Sequence, residues 1–93
     1  MTETFRVLIV VDHQEIRTAL RANLEVLDAE ADLDLDLVDV PSGEEAIIEV
    51  VGTGINLLIA DVGLPGLSGI ELYTKLKATY PKMQVILITG MED

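Results

Sequence analysis

Three oxygen-bearing side chains stand where short, largely β-branched apolar runs stop. Asp12 follows Val7-Leu8-Ile9-Val10-Val11, Asp61 follows Leu57-Leu58-Ile59-Ala60, and Thr89 follows Val85-Ile86-Leu87-Ile88. Two carboxylates held close together repel unless a proton or a cation lies between them. Mg2+ suits such a pair, because it prefers oxygen, takes one or two carboxylates and keeps several waters. A loop carbonyl such as that of Gly63 would complete its shell. A carboxylate on such a metal can attack a phosphoryl group and form an acyl phosphate. Charge neutralisation and positioning then carry most of the reaction.

The elements that must position these groups are legible from periodicity. Phe5 to Val11 is short and nearly continuous in apolar residues, as expected for a strand covered on both faces. After Asp12, apolar residues recur at Ile16, Leu20, Leu24 and Leu27, which is helical spacing. Asp12-His13-Gln14-Glu15 fits a capping box for that helix. Leu33 to Leu37 alternates with aspartates and continues through Val40, as a strand with one wet face does. Its acids discourage edge pairing, so this strand is expected at a sheet edge. Ser42-Gly43-Glu44-Glu45 is a second capping box, opening a helix expected to run through Val51 and to break at Gly52-Thr53-Gly54. Ile55 to Ala60 is a third strand, ending at Asp61. The loop Val62 to Leu67 leads to a third capping box, Ser68-Gly69-Ile70-Glu71, and a helix with Ile70, Tyr73 and Leu76 on one face. Val85 to Ile88 is a fourth strand, closing at Thr89-Gly90.

Strands alternating with helices must run parallel. The expected fold is α/β, a doubly wound open sheet in the order 2-1-3-4 with helices on both faces. In such sheets, sites form beyond the carboxyl ends of the strands at the switch in strand order. Here the switch lies between the first and third strands, so Asp12, Asp61 and Thr89 should meet at one rim.

Composition narrows the function classes. At 93 residues, one domain is the ceiling, and 49% apolar content suffices for one core. The chain has no cysteine, which excludes disulfides and thiolate metal sites. A single histidine, His13, cannot build a His-based metal cluster and is expected to be a solvated first-turn residue. A net charge of −11 argues against direct nucleic-acid binding, which needs clustered Lys and Arg. The longest apolar run has five residues, against the roughly 20 needed to span a bilayer, so no membrane association is expected. With no signal peptide evident, the expected location is cytoplasmic. The Asp32 to Asp36 alternation lacks an EF-hand's glycine and terminal Glu and is expected to be a solvated face. Gly52-Thr53-Gly54 precedes a strand and so does not fit a dinucleotide fingerprint.

Together, Val7 to His13, Leu57 to Asp61 with Leu64-Pro65-Gly66-Leu67-Ser68-Gly69, and Val85 to Gly90 resemble the receiver domains of two-component response regulators, which are flavodoxin-like. The resemblance implies that Asp61 is the phosphoacceptor, receiving phosphate from a histidine kinase or phosphotransfer protein. It implies that Asp12 holds Mg2+, that Thr89 is the switch hydroxyl moving toward the phosphoryl group, and that Pro65 and Gly69 shape the pocket. The chemistry implied is phosphorylation and slow hydrolysis on the protein itself, not enzymatic turnover of an external substrate. An aspartate-nucleophile phosphatase would need a second acid at the position of Gly63.

The sequence also departs from the family. Receivers usually carry two adjacent acids at the end of the first strand, and here the first is Val11. The family's lysine, fifth strand and last helices would lie beyond Asp93. The 93 residues are thus expected to be a receiver domain incomplete at its C-terminal end, with an effector domain possible beyond it. If they were the whole molecule, the apolar fourth strand would be expected to drive homo-oligomerisation. Val11 motivates an alternative: a phosphorylation-independent pseudo-receiver serving as a protein-protein interaction module.

Overall fold

The computed structural model describes residues 4–89. The elements follow as β1 (Phe5–Val10), α1 (Gln14–Ala31), β2 (Leu35–Val40), α2 (Gly43–Thr53), β3 (Leu57–Asp61), α3 (Gly69–Thr79) and β4 (Gln84–Ile88). The strands form one parallel sheet in the order β2-β1-β3-β4, the order expected from the sequence.

The near-continuous apolar runs are explained by burial on both sides. Side chains alternate across a strand. On one face Leu8, Val10, Leu58 and Ala60 pack with Ala46 and Val50 of α2 and with Leu72 and Leu76 of α3. On the other, Val7, Ile9, Val11 and Ile59 pack beneath Ile16, Leu20 and Leu24 of α1. Leu8, Ile9, Val10, Val11, Leu58 and Ala60 have no exposed surface. Burying each large side chain contributes roughly 1.5–3 kcal/mol. α1 has no fully buried residue, and its Leu27, expected on the packed face, is half exposed.

The two edges differ. β2 carries Asp36 and Asp39, paired with Arg6 at 2.9 Å and Arg21 at 3.4 Å. β4 exposes Ile86 and Leu87 instead.

Several local expectations are corrected. Asp12 does not cap α1: His13 is the N-cap residue and no side chain caps that end. The Asp12 carboxylate instead lies 3.2 Å from His13 Nδ1. α2 continues past Val51 to Thr53 before Gly54 ends it with φ of 76°. There Ser42 Oγ accepts from the Glu45 N–H, but among the described residues the complete reciprocal box is made at Ser68 and Glu71. α3 turns Leu72 and Leu76 inward, while Ile70 and Tyr73 are exposed. β3 begins at Leu57, not Ile55, and just before it the Asn56 side-chain Oδ1 accepts from the Arg6 N–H at 2.7 Å. β2 begins at Leu35, since Asp34 has a positive φ of 64°. Gly90 lies outside the described residues.

Candidate functional site

Asp61 closes β3, which runs through the middle of the sheet. Its 5% exposure makes it the one buried charged residue among those described. Its Oδ1 accepts from the Gly63 N–H at 2.9 Å, a charge-assisted bond that holds one carboxylate oxygen and leaves the other. Main-chain bonds fix the segment: Val62 N–H donates to Ile88 at 2.9 Å, and Gly69 N–H to Val62 at 3.4 Å. The loop beyond is held by close packing. Gly66 adopts φ of 71°, and a Cβ at Gly43 of α2 would lie 2.9 Å from the Leu67 carbonyl. Pro65 is exposed on this loop. Gly63 is exposed, and among the described residues no donor takes its carbonyl.

Asp12 leaves β1 at the same end of the sheet. Its side chain is 30% exposed. Thr89 follows β4, where Ile88 stands level with Asp61, and it is exposed. Parallel strands bring these three residues, distant in sequence, to the same rim. Among the described residues no group of three or more His, Cys, Asp or Glu gathers as a metal cluster.

Val11 is the structural counterpart of the missing acid. Val10 pairs with Ala60, so continuing the register by one residue sets Val11 level with Asp61. Both lie on the α1 side of the sheet, where Val11 is fully buried with Val7, Ile9 and Ile59. Asp61 therefore has an apolar neighbour where a second carboxylate would stand.

Sequence inspection did not single out Arg17. Its Nη1 donates to the Val11 carbonyl at 2.6 Å, and its side chain is 16% exposed. An arginine in the first turn of an amphipathic helix carries no sequence signal of that contact, which depends on where the neighbouring strand ends.

An open, doubly wound parallel sheet with a buried aspartate at the end of a central strand defines an α/β domain of the receiver type. Comparison with known proteins is decisive on the family: residues 7–93 match the model of the response regulator receiver domain, and the chain belongs to that family. It is 33% identical over 89 residues to the response regulator GacA of Pseudomonas protegens, covering 95% of this chain and 39% of that protein. It is 31% identical over 87 residues to a cyclic di-GMP phosphodiesterase of Thermotoga maritima, covering 94% of this chain and 22% of the relative. A two-component transcriptional regulator AraC from Clostridium phytofermentans superposes with a TM-score of 0.81 at 32% identity, over 96% of this chain and 69% of that one. The Thermotoga maritima response regulator TrrA, solved in complex with Mg2+-BeF, superposes with a TM-score of 0.80 at 27% identity, over 92% and 70%. The chain thus spans well under half the length of these curated relatives. It is a signalling domain of two-component systems. Among the described residues no helix is long and apolar enough to cross a membrane.

Proposed function

We propose that Asp61 accepts a phosphoryl group from the phosphohistidine of a histidine kinase or phosphotransfer protein, and that the phosphorylated domain controls an output. The observation that carries this reading is the buried Asp61 carboxylate, with Oδ1 tied to the Gly63 N–H. The held oxygen orients the carboxylate, so Oδ2 is the nucleophile. Its attack forms an O–P bond as the donor's P–N bond breaks, and the donor imidazole leaves with a proton from solvent.

Asp12, Asp61 and the Gly63 carbonyl are the proposed Mg2+ ligands. An all-oxygen set of two carboxylates and a carbonyl, with waters filling the rest, fits that ion's preferences. When bound, Mg2+ supplies charge neutralisation for the transferring phosphoryl group. Asp12 and Asp61 orient it, and the apolar wall at Val11 keeps water from one side of the carboxylate. The exposed Thr89 hydroxyl then donates to the phosphoryl oxygens and biases the loops between two states. Gly63 stands where an aspartate-nucleophile phosphatase would need its second acid, so the domain is proposed as a switch rather than an enzyme, working in the cytoplasm. An effector domain in the same protein is supported by the relatives, of which the chain spans only 39% and 22%. The exposed Ile86 and Leu87 of β4 support self-association of the 93-residue chain taken alone.

Incubation with acetyl phosphate and Mg2+, followed by intact-protein mass spectrometry, tests the reading. A gain of one phosphoryl group, lost in Asp61→Asn, is expected; an unchanged mass overturns it.

A second reading rests on Val11: with one carboxylate fewer, the domain would act as a pseudo-receiver, an interaction module indifferent to phosphate. A Mg2+ affinity unaffected by Asp61→Asn would favour it.

A further inference from the structure

We infer that Arg17 is a positioning residue for Asp12, clamping the chain just before that carboxylate so that it can serve as a Mg2+ ligand. The inference rests on the metal role of Asp12 proposed above.

The need for a clamp begins in β2. Val10 pairs with Val40, and the Val11 N–H donates to the Val40 carbonyl at 3.3 Å. The next donor along a parallel ladder would come from the residues after Val40. There stands Pro41, which has no N–H, followed by Ser42, already turned into the N-cap of α2. The ladder therefore runs out with the Val11 carbonyl pointing toward a strand that has ended. Val11 is fully buried, and an unpaired buried carbonyl costs about 1–3 kcal/mol.

Arg17 meets that carbonyl. Its Nη1 donates to Val11 O at 2.6 Å, while its own backbone N–H donates to His13 O at 3.0 Å. The Arg17 side chain thus holds the peptide unit before Asp12, while its main chain closes the first helical turn after it, as any residue there would. The far side of the guanidinium faces Asp39 of β2, with Nε 3.9 Å from Oδ2, and Arg21 Nη1 is 3.4 Å from Asp39 Oδ1. The anchor extends from β2 through Arg17 to the β1–α1 joint.

Beyond the Val11 N–H to Val40 bond, among the described residues no other side chain holds the joint. No side chain caps α1, and the Asp12 carboxylate lies against the exposed His13 ring. With Val11 unable to contribute a second carboxylate, cation binding depends on the placement of Asp12. Groups that orient metal ligands are typically worth 10–100-fold in metal affinity.

The test is Mg2+ titration of the isotope-labelled protein, followed by amide shifts of Asp12, Asp61 and Gly63, with thermal unfolding as a separate readout. Arg17→Gln should weaken Mg2+ roughly tenfold while the protein remains folded. Arg17→Lys has one compact donor group in place of a planar fork and should fall between. Asp39→Asn keeps the bond to Val11 but loosens its anchor, so a smaller loss is expected. A folded Arg17→Gln protein with unchanged Mg2+ affinity overturns the inference, whatever its melting temperature. If that variant does not fold, unchanged affinity in both Arg17→Lys and Asp39→Asn overturns it. A wild-type protein that takes up phosphate and Mg2+ alongside an unaffected Arg17→Gln sinks this inference alone; a wild type that binds no Mg2+ sinks the proposed function with it.

Discussion

Gly69, at the start of α3, lies so close to Asp61 that a Cβ there would collide with the Asp61 carbonyl oxygen. A Cβ would also come within 2.8 Å of Val62 Cα, so the clash is with main chain that cannot swing aside. The helix is thereby seated against the end of the strand that carries the candidate phosphoacceptor. Gly69→Ala should cost about 1–3 kcal/mol, as overpacking typically does. It should also slow phosphorylation by displacing Asp61. Urea denaturation checks the first effect and rate measurements the second; a midpoint unchanged from wild type would contradict the steric account.

Asp61→Asn should separate chemistry from stability. The amide keeps an oxygen to accept from Gly63 N–H and removes a buried charge. Phosphorylation should vanish, while stability should stay equal or rise by about 1 kcal/mol. A large loss of stability would mean that the carboxylate is a structural partner first.

Val11→Asp should reverse the chain's departure from its family. A second carboxylate level with Asp61 should tighten Mg2+ binding. Without the ion it should destabilise the fold by several kcal/mol, because Val11 is fully buried beneath α1. Saturating Mg2+ should restore about 2.7 kcal/mol at a hundredfold excess over Kd. Thermal unfolding with and without Mg2+ measures both effects, and a variant that Mg2+ does not stabilise would contradict the placement of Val11 beside the cation site.

Leu58→Ala and Leu72→Ala remove fully buried side chains from facing elements, β3 and α3. Each should cost about 2–5 kcal/mol. That is a large part of the 5–15 kcal/mol typical of a domain, so loss of cooperative unfolding in circular dichroism is the expected outcome.

What the sequence discloses follows from which forces are local. The strands with both faces buried announce themselves, since Val7 to Val11 and Leu57 to Ala60 need apolar residues at every position. The edge placement of β2 followed equally from its alternating aspartates. Of Ile70, Tyr73 and Leu76, expected on one face of α3, Leu76 is buried while Ile70 and Tyr73 are exposed, because two apolar stripes lie on that helix. The close seat of Gly69 selects Leu72 and Leu76, and that contact is tertiary. The expected cap at Asp12 failed for a related reason: its carboxylate lies against His13 rather than turning back onto α1. Arg17 was invisible because its partner, the Val11 carbonyl, is left over only when β2 stops at Pro41. Residue type and strand-end position thus nominated the site, while the supports around it required coordinates.

The most direct measurement is titration of Mn2+, as a paramagnetic stand-in for Mg2+, into isotope-labelled protein. If Asp12 and Asp61 share one divalent ion, the amide signals of Asp12, Asp61 and Gly63 should broaden together at low Mn2+ and recover on adding excess Mg2+. Broadening at only one of the two aspartates, or first at Asp32 and Asp34, which precede β2 at the opposite end of the sheet, would contradict the account.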